Sequence, residues 1–323
     1  MITETGTDFR KAAALLEAGK VVAVPTETVY GLAANATDAD AVLKIFEAKQ
    51  RPQFNPLIVH VPETAQAFDY ALAVPDAAHR LAAAFWPGPL TLLLPKKNVI
   101  SDLVTAGSDR VALRVPAHPL FRTLLKQLSF PLAAPSANRS GSISPTRASH
   151  VQQSLDGRIP YILDGGESAV GLESTIVGFD AADQPVLYRV GGLSPEAIEA
   201  VLGHSISLQH QPAEHPVAPG QLRVHYAPDV PLYLGDLNFL SQQHPSGKTV
   251  IICFRNPPVD PIIPHFMLAP EGDLETAAKN LFTALHWANS QAADQILAEP
   301  VPETGLGLAI NDRLRRASVN YEF

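Results

Sequence analysis

The stretch from Val21 to Val61 constrains the fold of this chain more than any other. It opens with a short apolar run, Val21–Val24, that stops at Pro25, and a turn with three hydroxyl-bearing residues and one carboxylate follows before Gly31. Such a boundary predicts the end of a buried strand. Because α/β proteins bind ligands where their strands end, the pattern indicates an α/β fold with a binding site at this turn.

A helix is predicted next, and its apolar face ends in a lysine. Thr37 is the expected N-cap, and Val42, Ile45 and Phe46 follow at helical spacing, with Lys49 as the next member of the same face. An ammonium on an apolar face points into the protein and needs an anionic partner there. The alternative is that Lys49 only complements the helix dipole and extends into solvent, and for the lysine taken alone that structural explanation is the better one.

The residues after this helix strengthen the functional interpretation. Two prolines bracket a rigid loop, so Lys49 and Arg51 project from a fixed backbone just before a strand predicted at Leu57–Val61. Alternation along that strand places His60 on the face opposite most of its apolar residues. A lone strand histidine is usually structural, so the two cations carry the hypothesis of a binding site.

More cations and hydroxyls occur near later strands. Arg114 lies on one face of a predicted strand, Arg189 lies near the end of another, and the loop Pro135–Thr146 holds four serines and an asparagine. Each has an ordinary explanation as a surface arginine or a connecting loop, but N–H groups and hydroxyls in such a loop can surround a phosphate. Together with Lys49 and Arg51 they suit a polyphosphate held by scattered cations, where catalysis needs mainly positioning and charge.

Composition narrows the possible function classes. A net charge of −8 argues against a protein that coats nucleic acid, since such affinity comes mostly from lysine and arginine. One cysteine, Cys253, leaves no disulfide framework and no cysteine zinc site, and the sequence has no metal-ligand pattern. Charged residues interrupt the first twenty positions, and no run is long enough to span a membrane, so a cytoplasmic protein is expected.

The chain is predicted to contain two α/β domains joined by a linker. Residues 1–204 form the first predicted domain, residues 205–230 a linker rich in His, Gln and Pro, and residues 231–323 a smaller, Rossmann-like α/β domain. The linker carries Arg223, His225 and Tyr226 between prolines that restrict its backbone, which is more chemistry than a spacer needs. We expect it to act as a lid over the site, with a plain spacer as the alternative.

A set of motifs occurs in the order typical of one family. The first domain resembles the YrdC-like domain through PTETVYGL, KQRP, PLIVHV, WPGPLTLLLP, VALRVP, APSANRSGSISPT, ESTIV and RVGG. The linker APGQLRVHYAP and the later segment GLGLAINDRLRRAS resemble the longer, two-domain form of the threonylcarbamoyl-AMP synthase family. The resemblance covers nearly the whole chain, and the combination is highly specific although each motif alone is weak.

The resemblance implies a fold and an activity. The fold is a twisted, mostly parallel sheet with an open cationic cavity, and the activity is that of a nucleotidyltransferase. It joins L-threonine, bicarbonate and ATP into L-threonylcarbamoyladenylate with release of pyrophosphate, for modification of tRNA at the adenosine beside the anticodon. Magnesium is implied as the companion of ATP. The implied partner is the downstream tRNA threonylcarbamoyl transferase machinery, and neither a membrane nor strong direct binding of nucleic acid is expected.

The same resemblance assigns roles to individual positions. Lys49 and Arg51 match a KxR pair that is implied to be catalytic and to bind ATP. Arg114 is implied to hold the carboxylate of threonine, because its planar fork accepts a carboxylate bidentately. The remaining implied ATP contacts are Thr91, Ser136, Asn138, Ser144, Arg189 and Tyr226, and the remaining implied threonine contacts are Thr28, His60 and Ser174.

The sequence departs from the family pattern at three places, and two other functions remain as alternatives. The departures are Gln50 within the KxR pair, Gln221-Leu222 within the linker motif, and Gly178 where an acidic residue often follows STIV, which bears on metal or water placement. A carbamoyl-transferring enzyme with a related domain would use a similar cavity, but it should carry further cysteine-rich or acylphosphatase-like segments. An RNA-binding module would need a basic face, which the net charge disfavours.

Overall fold

The computed structural model describes residues 2–52, 55–209, 226–245, 247–258, 260 and 262–319. These residues form two α/β units, with an eleven-stranded sheet in the first and a four-stranded sheet in the second. The predicted α/β fold class is therefore confirmed. Arg223 and His225 of the predicted lid lie outside the described residues, as does the rest of the range 210–225.

The large sheet is mixed, and parallel and antiparallel pairs both occur along it. In chain order its strands are β1 (Glu4–Gly6), β2 (Val22–Val24), β3 (Gly31–Asn35), β4 (Ile58–His60), β5 (Leu90–Pro95), β6 (Arg110–Arg114), β7 (Leu132–Ala133), β8 (Tyr161–Leu163), β9 (Thr175–Phe179), β10 (Pro185–Arg189) and β11 (Ser207–Leu208). Their spatial order is β1-β8-β2-β3-β7-β4-β6-β5-β9-β10-β11. Strands β4 and β6 are parallel, as are β5 and β9, whereas β3 and β4 both run antiparallel to β7.

Helices of the first unit bury apolar stripes against this sheet. Helix α1 begins because the Asp8 carboxylate accepts hydrogen bonds from the N–H groups of Arg10 and Lys11, and it buries Ala12 and Leu16. In chain order the helices are α1 (Phe9–Glu17), α2 (Ala39–Lys49), α3 (Thr64–Phe68), α4 (Asp76–Phe85), α5 (Asp102–Thr105), α6 (Pro119–Gln127), α7 (Ala148–Leu155) and α8 (Pro195–Leu202).

Helix α2 confirms the predicted apolar face but not the predicted start. The three apolar residues of that face are buried, and so is Lys49 at the last position of the helix. The N-cap is Asp38 and the prediction of Thr37 was wrong, because the Asp38 carboxylate accepts from two first-turn N–H groups. The Thr37 hydroxyl instead donates to the Asn35 side chain.

Strand β3 is an element that the sequence pattern does not predict. Its residues, Gly-Leu-Ala-Ala-Asn, have low intrinsic preference for strands, so pairing with neighbours decides its conformation. It pairs antiparallel with β2 and with β7, and Gly31 forms a bridge to Ser136. The polar turn at residues 25–30 consequently connects two adjacent strands in the interior of the sheet, facing the serine-rich loop.

The second unit has the Rossmann-like arrangement that the sequence predicts. Its strands β12 (Leu232–Leu234), β13 (Thr249–Cys253), β14 (His265–Met267) and β15 (Gln295–Ala298) are all parallel in the order β12-β15-β13-β14. Helices α9 (Leu237–Gln243), α10 (Leu274–Ser290) and α11 (Gly307–Ala317) accompany them. The domain boundaries 1–204, 205–230 and 231–323 stay a prediction, and β11 lies inside the range predicted as linker.

The second unit packs closely on the first through α10. A Cβ atom on Gly171 would lie 2.5 Å from the Cα atom of Lys279, so only glycine permits this approach of two backbones. Nearby, the rings of His150 and His286 stack with 3.8 Å between centroids, and His286 Nε2 lies 3.1 Å from the carbonyl oxygen of Ser144. No helix in the described ranges has both the length and the apolar character needed to cross a membrane.

Candidate active site

An open cavity lies in the first unit beside the turn between β2 and β3. It contains about 590 Å³ of empty space, including open solvent at its mouth, and three arginines and one glutamate line it. The predicted cationic cavity is thus confirmed. Eight of the twelve predicted site residues line it: Thr28, Arg51, His60, Arg114, Ser136, Ser174, Arg189 and Tyr226.

Lys49 lies behind the wall of the cavity. Its Nζ donates hydrogen bonds to the carbonyl oxygens of Ser136 and Asn138, each at 2.5 Å, and the residue is 1% exposed. The alternative in which Lys49 extends into solvent is therefore wrong. Burial, followed by the charge of Arg51, lowers the pKa of Lys49 well below its usual value. A bound anion would raise this pKa again and favour the ammonium form. Such an anion is the partner that the sequence argument requires for Lys49.

The loop after β7 is braced from behind by Asn138. The Asn138 Nδ2 atom donates to the carbonyl oxygen of Ser142 at 2.7 Å, and Asn138 is 1% exposed. Its Oδ1 atom is buried and has no hydrogen-bond partner within the described part of the chain. Lys49 and Asn138 together hold the backbone of this loop, while Ser136 faces the cavity.

Arg51 is the first cation of the cavity wall. Its guanidinium donates to the carbonyl oxygens of Asn55 and Pro56 at 3.4 and 3.2 Å, and the structure records no ion pair for it among the described residues. Burial, with the nearby charge of Arg189 acting in the same direction, lowers the pKa of Arg51 to about 10. Arg51 therefore remains a cation at neutral pH, and its partners are neutral carbonyls. Such a group stabilises a bound anion.

Arg114 is already engaged by a carboxylate that the sequence did not assign to it. Arg114 Nη2 donates to Glu27 Oε1 at 2.6 Å, Nη1 donates to the Thr28 hydroxyl at 2.9 Å, and Nε donates to the carbonyl oxygen of Gly88 at 3.2 Å. Glu27 Oε2 is buried without a partner among the residues described. Glu27 comes from the polar turn and fixes the plane of the guanidinium at the cavity wall.

His60 is a neutral, buried member of the same wall. It is 2% exposed, and its ring lies 5.7 Å from the ring of Phe121. Burial, and next the charge of Arg114, lowers the pKa of His60 to about 3. Its Nδ1 atom is buried and has no hydrogen-bond partner within the described ranges. At neutral pH the ring offers hydrogen bonding without charge.

Ser174 and Arg189 also line the cavity, and a second hydroxyl, that of Thr91, contacts Ser174 from behind. The hydroxyls of Thr91 and Ser174 lie 2.7 Å apart. Arg189 donates to Ser174 twice, from Nε to the carbonyl oxygen at 3.0 Å and from Nη2 to the hydroxyl at 3.1 Å. Burial lowers the pKa of Arg189 to about 10, so it too stays cationic at neutral pH. Thr91 lies behind Ser174 and orients it.

Glu173 links the cavity to the second unit. One of its oxygens accepts from the Ser144 hydroxyl at 2.7 Å, and the other accepts from Arg313 Nε at 3.1 Å. Arg313 belongs to α11, is fully buried, and lies over the ring of Tyr226 at 5.6 Å. Tyr226 lines the cavity with a φ of 67° and packs against Phe282.

The structure therefore brings all twelve predicted site residues to one place, at two depths. Lys49, Thr91, Asn138 and Ser144 lie behind the lining and contact residues near the cavity through hydrogen bonds. Their individual roles in binding or catalysis stay predictions. The sequence argument missed the contributions of three residues, Glu27, Glu173 and Arg313. Glu27 carried a local signal as the carboxylate of the polar turn, and Glu173 stood in the motif ESTIV, but neither signal pointed to an arginine partner.

Fold and site together define an α/β protein with an open cationic cavity suited to an anionic, phosphate-bearing ligand. A family model described as telomere recombination matches residues 14–191, and a model described as threonylcarbamoyl-AMP synthase, C-terminal domain, matches residues 193–319. The chain belongs to the threonylcarbamoyl-AMP synthase family, in its two-domain form.

Relatives match over nearly the full length of both chains. A threonylcarbamoyl-AMP synthase of Bacillus subtilis is 44% identical over 95% of this chain and 92% of its own length, and one of Pyrococcus abyssi is 43% identical over 96% and 94%. The crystal structure of P. abyssi Sua5 complexed with L-threonine superposes with a TM-score of 0.88 at 41% identity, covering 98% of this chain and 97% of that one. These matches favour the synthase family over the RNA-binding and carbamoyl-transfer alternatives.

Proposed function

We propose that this protein is an L-threonylcarbamoyladenylate synthase, a nucleotidyltransferase that uses L-threonine, bicarbonate and ATP and supplies tRNA modification. One observation carries the proposal. Residues predicted for the nucleotide, such as Arg51 and Arg189, and residues predicted for threonine, such as His60 and Arg114, line a single cavity. A cavity that holds both substrates converts their reaction into one between neighbouring bound groups.

The nucleotide side is proposed to consist of the cations with neutral partners. Arg51 has only carbonyl partners among the described residues, and Lys49 has two carbonyl partners and a lowered pKa. A triphosphate in the cavity would give Arg51 a charged partner, since charge-assisted bonds to phosphate are stronger than bonds to neutral acceptors. Its negative charge would also favour the ammonium form of Lys49 behind the wall. The hydroxyl of Ser136 and the ring of Tyr226 supply further contacts from the cavity lining.

The threonine side is proposed to lie around Arg114 and His60. Glu27 and Thr28 fix the guanidinium of Arg114 in one plane, which suits a second, bidentate contact with the carboxylate of an amino acid. The neutral ring of His60 and the hydroxyl of Ser174 can then accept from or donate to the polar groups of threonine. The P. abyssi relative was crystallised in complex with L-threonine, which supports the choice of amino acid.

The proposed reaction has two steps. The threonine nitrogen forms a bond to the carbon of bicarbonate, water leaves, and a carbamate results. A carbamate oxygen then attacks the α-phosphorus of ATP, and the bond from that phosphorus to the β-phosphate oxygen breaks. The leaving pyrophosphate and the attacked phosphorus both gain charge stabilisation from nearby guanidinium groups, so the protein contributes mainly positioning and electrostatics.

Magnesium is proposed to enter with ATP and not as a metal held by the protein. Within the described residues no group of three or more His, Cys, Asp or Glu side chains could hold an ion. Glu173, which lines the cavity, and Glu27, which holds the cavity residue Arg114, each bind an arginine. Transfer of the product to a tRNA threonylcarbamoyl transferase and a cytoplasmic location are further parts of the proposal, and both come from the family resemblance.

The test is product formation from labelled bicarbonate. Purified protein is incubated with ATP, L-threonine and ¹³C-bicarbonate, and mass spectrometry should detect threonylcarbamoyl-AMP heavier by one isotopic mass unit than the product from unlabelled bicarbonate. Omitting any one substrate should abolish both the product and pyrophosphate release. Pyrophosphate release that continues undiminished without threonine and bicarbonate would contradict the proposal.

A further inference from the structure

We propose that Arg313, in the second unit, is a positioning residue for the nucleotide side of the cavity. It would act through Glu173, by neutralising a carboxylate that lines the cavity and by fixing which way that carboxylate faces. The inference rests on the proposed function, because it concerns the affinity of the same cavity for ATP. It assigns to the second unit a direct part in shaping the binding site of the first.

The contacts of Arg313 form a short chain to the cavity. Arg313 Nε donates to Glu173 Oε2 at 3.1 Å, and the other oxygen of Glu173 accepts from the Ser144 hydroxyl at 2.7 Å. Arg313 Nη1 donates to the carbonyl oxygen of Val190 at 2.7 Å, directly after Arg189. The guanidinium also lies over the ring of Tyr226. Arg313 therefore contacts Tyr226 directly, and one intervening residue connects it to Ser144 and to Arg189. All three are predicted to bind the nucleotide.

The charge arrangement explains why an arginine is needed at this position. Glu173 is 7% exposed and lines a cavity that is proposed to bind a triphosphate. Without a counter-ion, its negative charge would repel the phosphates within the cavity. Arg313 is fully buried. Burial disfavours its charge, but Tyr226, Glu173 and Asp312 outweigh burial and raise the pKa of the guanidinium. Arg313 is thus a permanent counter-ion for Glu173, and it also pairs with Asp312, whose Oδ2 accepts from Nη1 at 3.0 Å.

A purely structural role accounts for these contacts less well. The two units already share a hydrophobic cluster in which Val29, Ile143 and Leu172 of the first pack with residues of the second. A buried ion pair adds little net stability, and apolar residues of the same volume often stabilise at least as well. In addition, Arg313 Nη2 is buried with no hydrogen-bond partner in the described part of the chain, so the guanidinium is not saturated by the fold.

The first experiment compares Arg313→Met with Arg315→Met, a control on the same helix whose arginine is about one-third exposed and pairs with Glu303. Affinities for ATP and for L-threonine are measured separately by calorimetry on the full chain, and melting is recorded for each variant. Arg313→Met should weaken ATP binding at least tenfold and threonine binding less than threefold. Arg315→Met should change neither. ATP affinity in Arg313→Met within threefold of wild type, with intact melting, would overturn the proposal.

Charge neutralisation predicts a specific rescue. In the double variant Arg313→Met/Glu173→Gln the negative charge has gone, and the glutamine oxygen can still accept from Ser144, so ATP affinity should recover by at least threefold over Arg313→Met alone. Arg313→Lys should likewise bind ATP better than Arg313→Met. If neither change rescues binding, the role assigned to the charge is wrong.

Two further outcomes are also decisive. If Arg313→Met does not fold, Arg313→Gln takes its place with the same expected loss, because it is neutral but can still donate to Glu173. Failure of both variants to fold would show a structural role and overturn the proposal. If the wild-type protein itself forms no threonylcarbamoyl-AMP, the proposed function fails, whereas the effect of Arg313 on ATP binding is still measurable.

Discussion

Replacing Lys49 by methionine tests whether a positive charge beside the cavity is needed for activity. The structure also predicts that the replacement has two opposite effects on the free energy of unfolding. The change removes two hydrogen bonds to buried carbonyls, which would cost roughly 1–3 kcal/mol if each is worth about 0.5–1.5 kcal/mol. It also removes the cost of burying a strongly polar amine, whose desolvation lowers the pKa of Lys49. We therefore expect the free energy of unfolding to fall by less than the hydrogen bonds alone would suggest.

No such compensation is expected for activity. The loop that carries Ser136 and Asn138 loses its brace, and the proposed triphosphate loses a cation near it. A single charge-assisted contact worth about 1.5–3 kcal/mol corresponds to a loss of roughly ten- to a hundredfold in rate when it is realised in the transition state. Lys49→Met should therefore separate the two quantities, with a small change in stability and a large change in kcat/KM for ATP.

The assay measures urea unfolding and pyrophosphate release on the same preparations. Lys126→Met is the matched control, because Lys126 lies in the last turn of α6, is half exposed, and forms a surface pair with Glu63. It should leave both quantities close to wild type. Wild-type turnover in Lys49→Met, or a loss of stability as large as the two bonds combined, would refute the reasoning.

Three further outcomes are expected. Arg114→Lys should weaken threonine binding more than ATP binding in calorimetry, because one ammonium cannot replace bonds to Glu27, Thr28 and Gly88; equal losses would count against a role in carboxylate binding. Gly171→Ala should lower the melting temperature more than Gly203→Ala. Both glycines have positive φ, but only at Gly171 would the new Cβ atom lie 2.5 Å from another backbone atom. Equal decreases in melting temperature would show that this close contact does not limit stability. Burial lowers the pKa of His286 to about 4, so the unfolded chain binds a proton that the folded chain does not as pH falls from about 6.5 to 4. The free energy of unfolding should therefore decrease as pH falls through that window, and it should decrease less in His286→Gln than in the wild type. Identical pH profiles of unfolding free energy in the two proteins would contradict this expectation.

The sequence by itself determined features that depend on local periodicity. The apolar face of α2 could be predicted, with Lys49 as its next member, because residues three and four apart share one side of a helix, but for the lysine alone periodicity favoured a side chain that extends into solvent. The strands around His60 and Arg114 followed in the same way from alternation. The order of motifs, which is also a property of the linear chain, identified the family and most of the cavity lining.

Only the tertiary structure decided which distant groups became partners. Strand β3 has weak strand preference and forms because β2 and β7 pair with it. Arg114 acquired Glu27 across 87 positions, and Arg313 acquired Glu173 across 140. A charged side chain carries no local signal of its eventual partner, since the cost of burying it is offset only by the groups that the completed fold brings beside it.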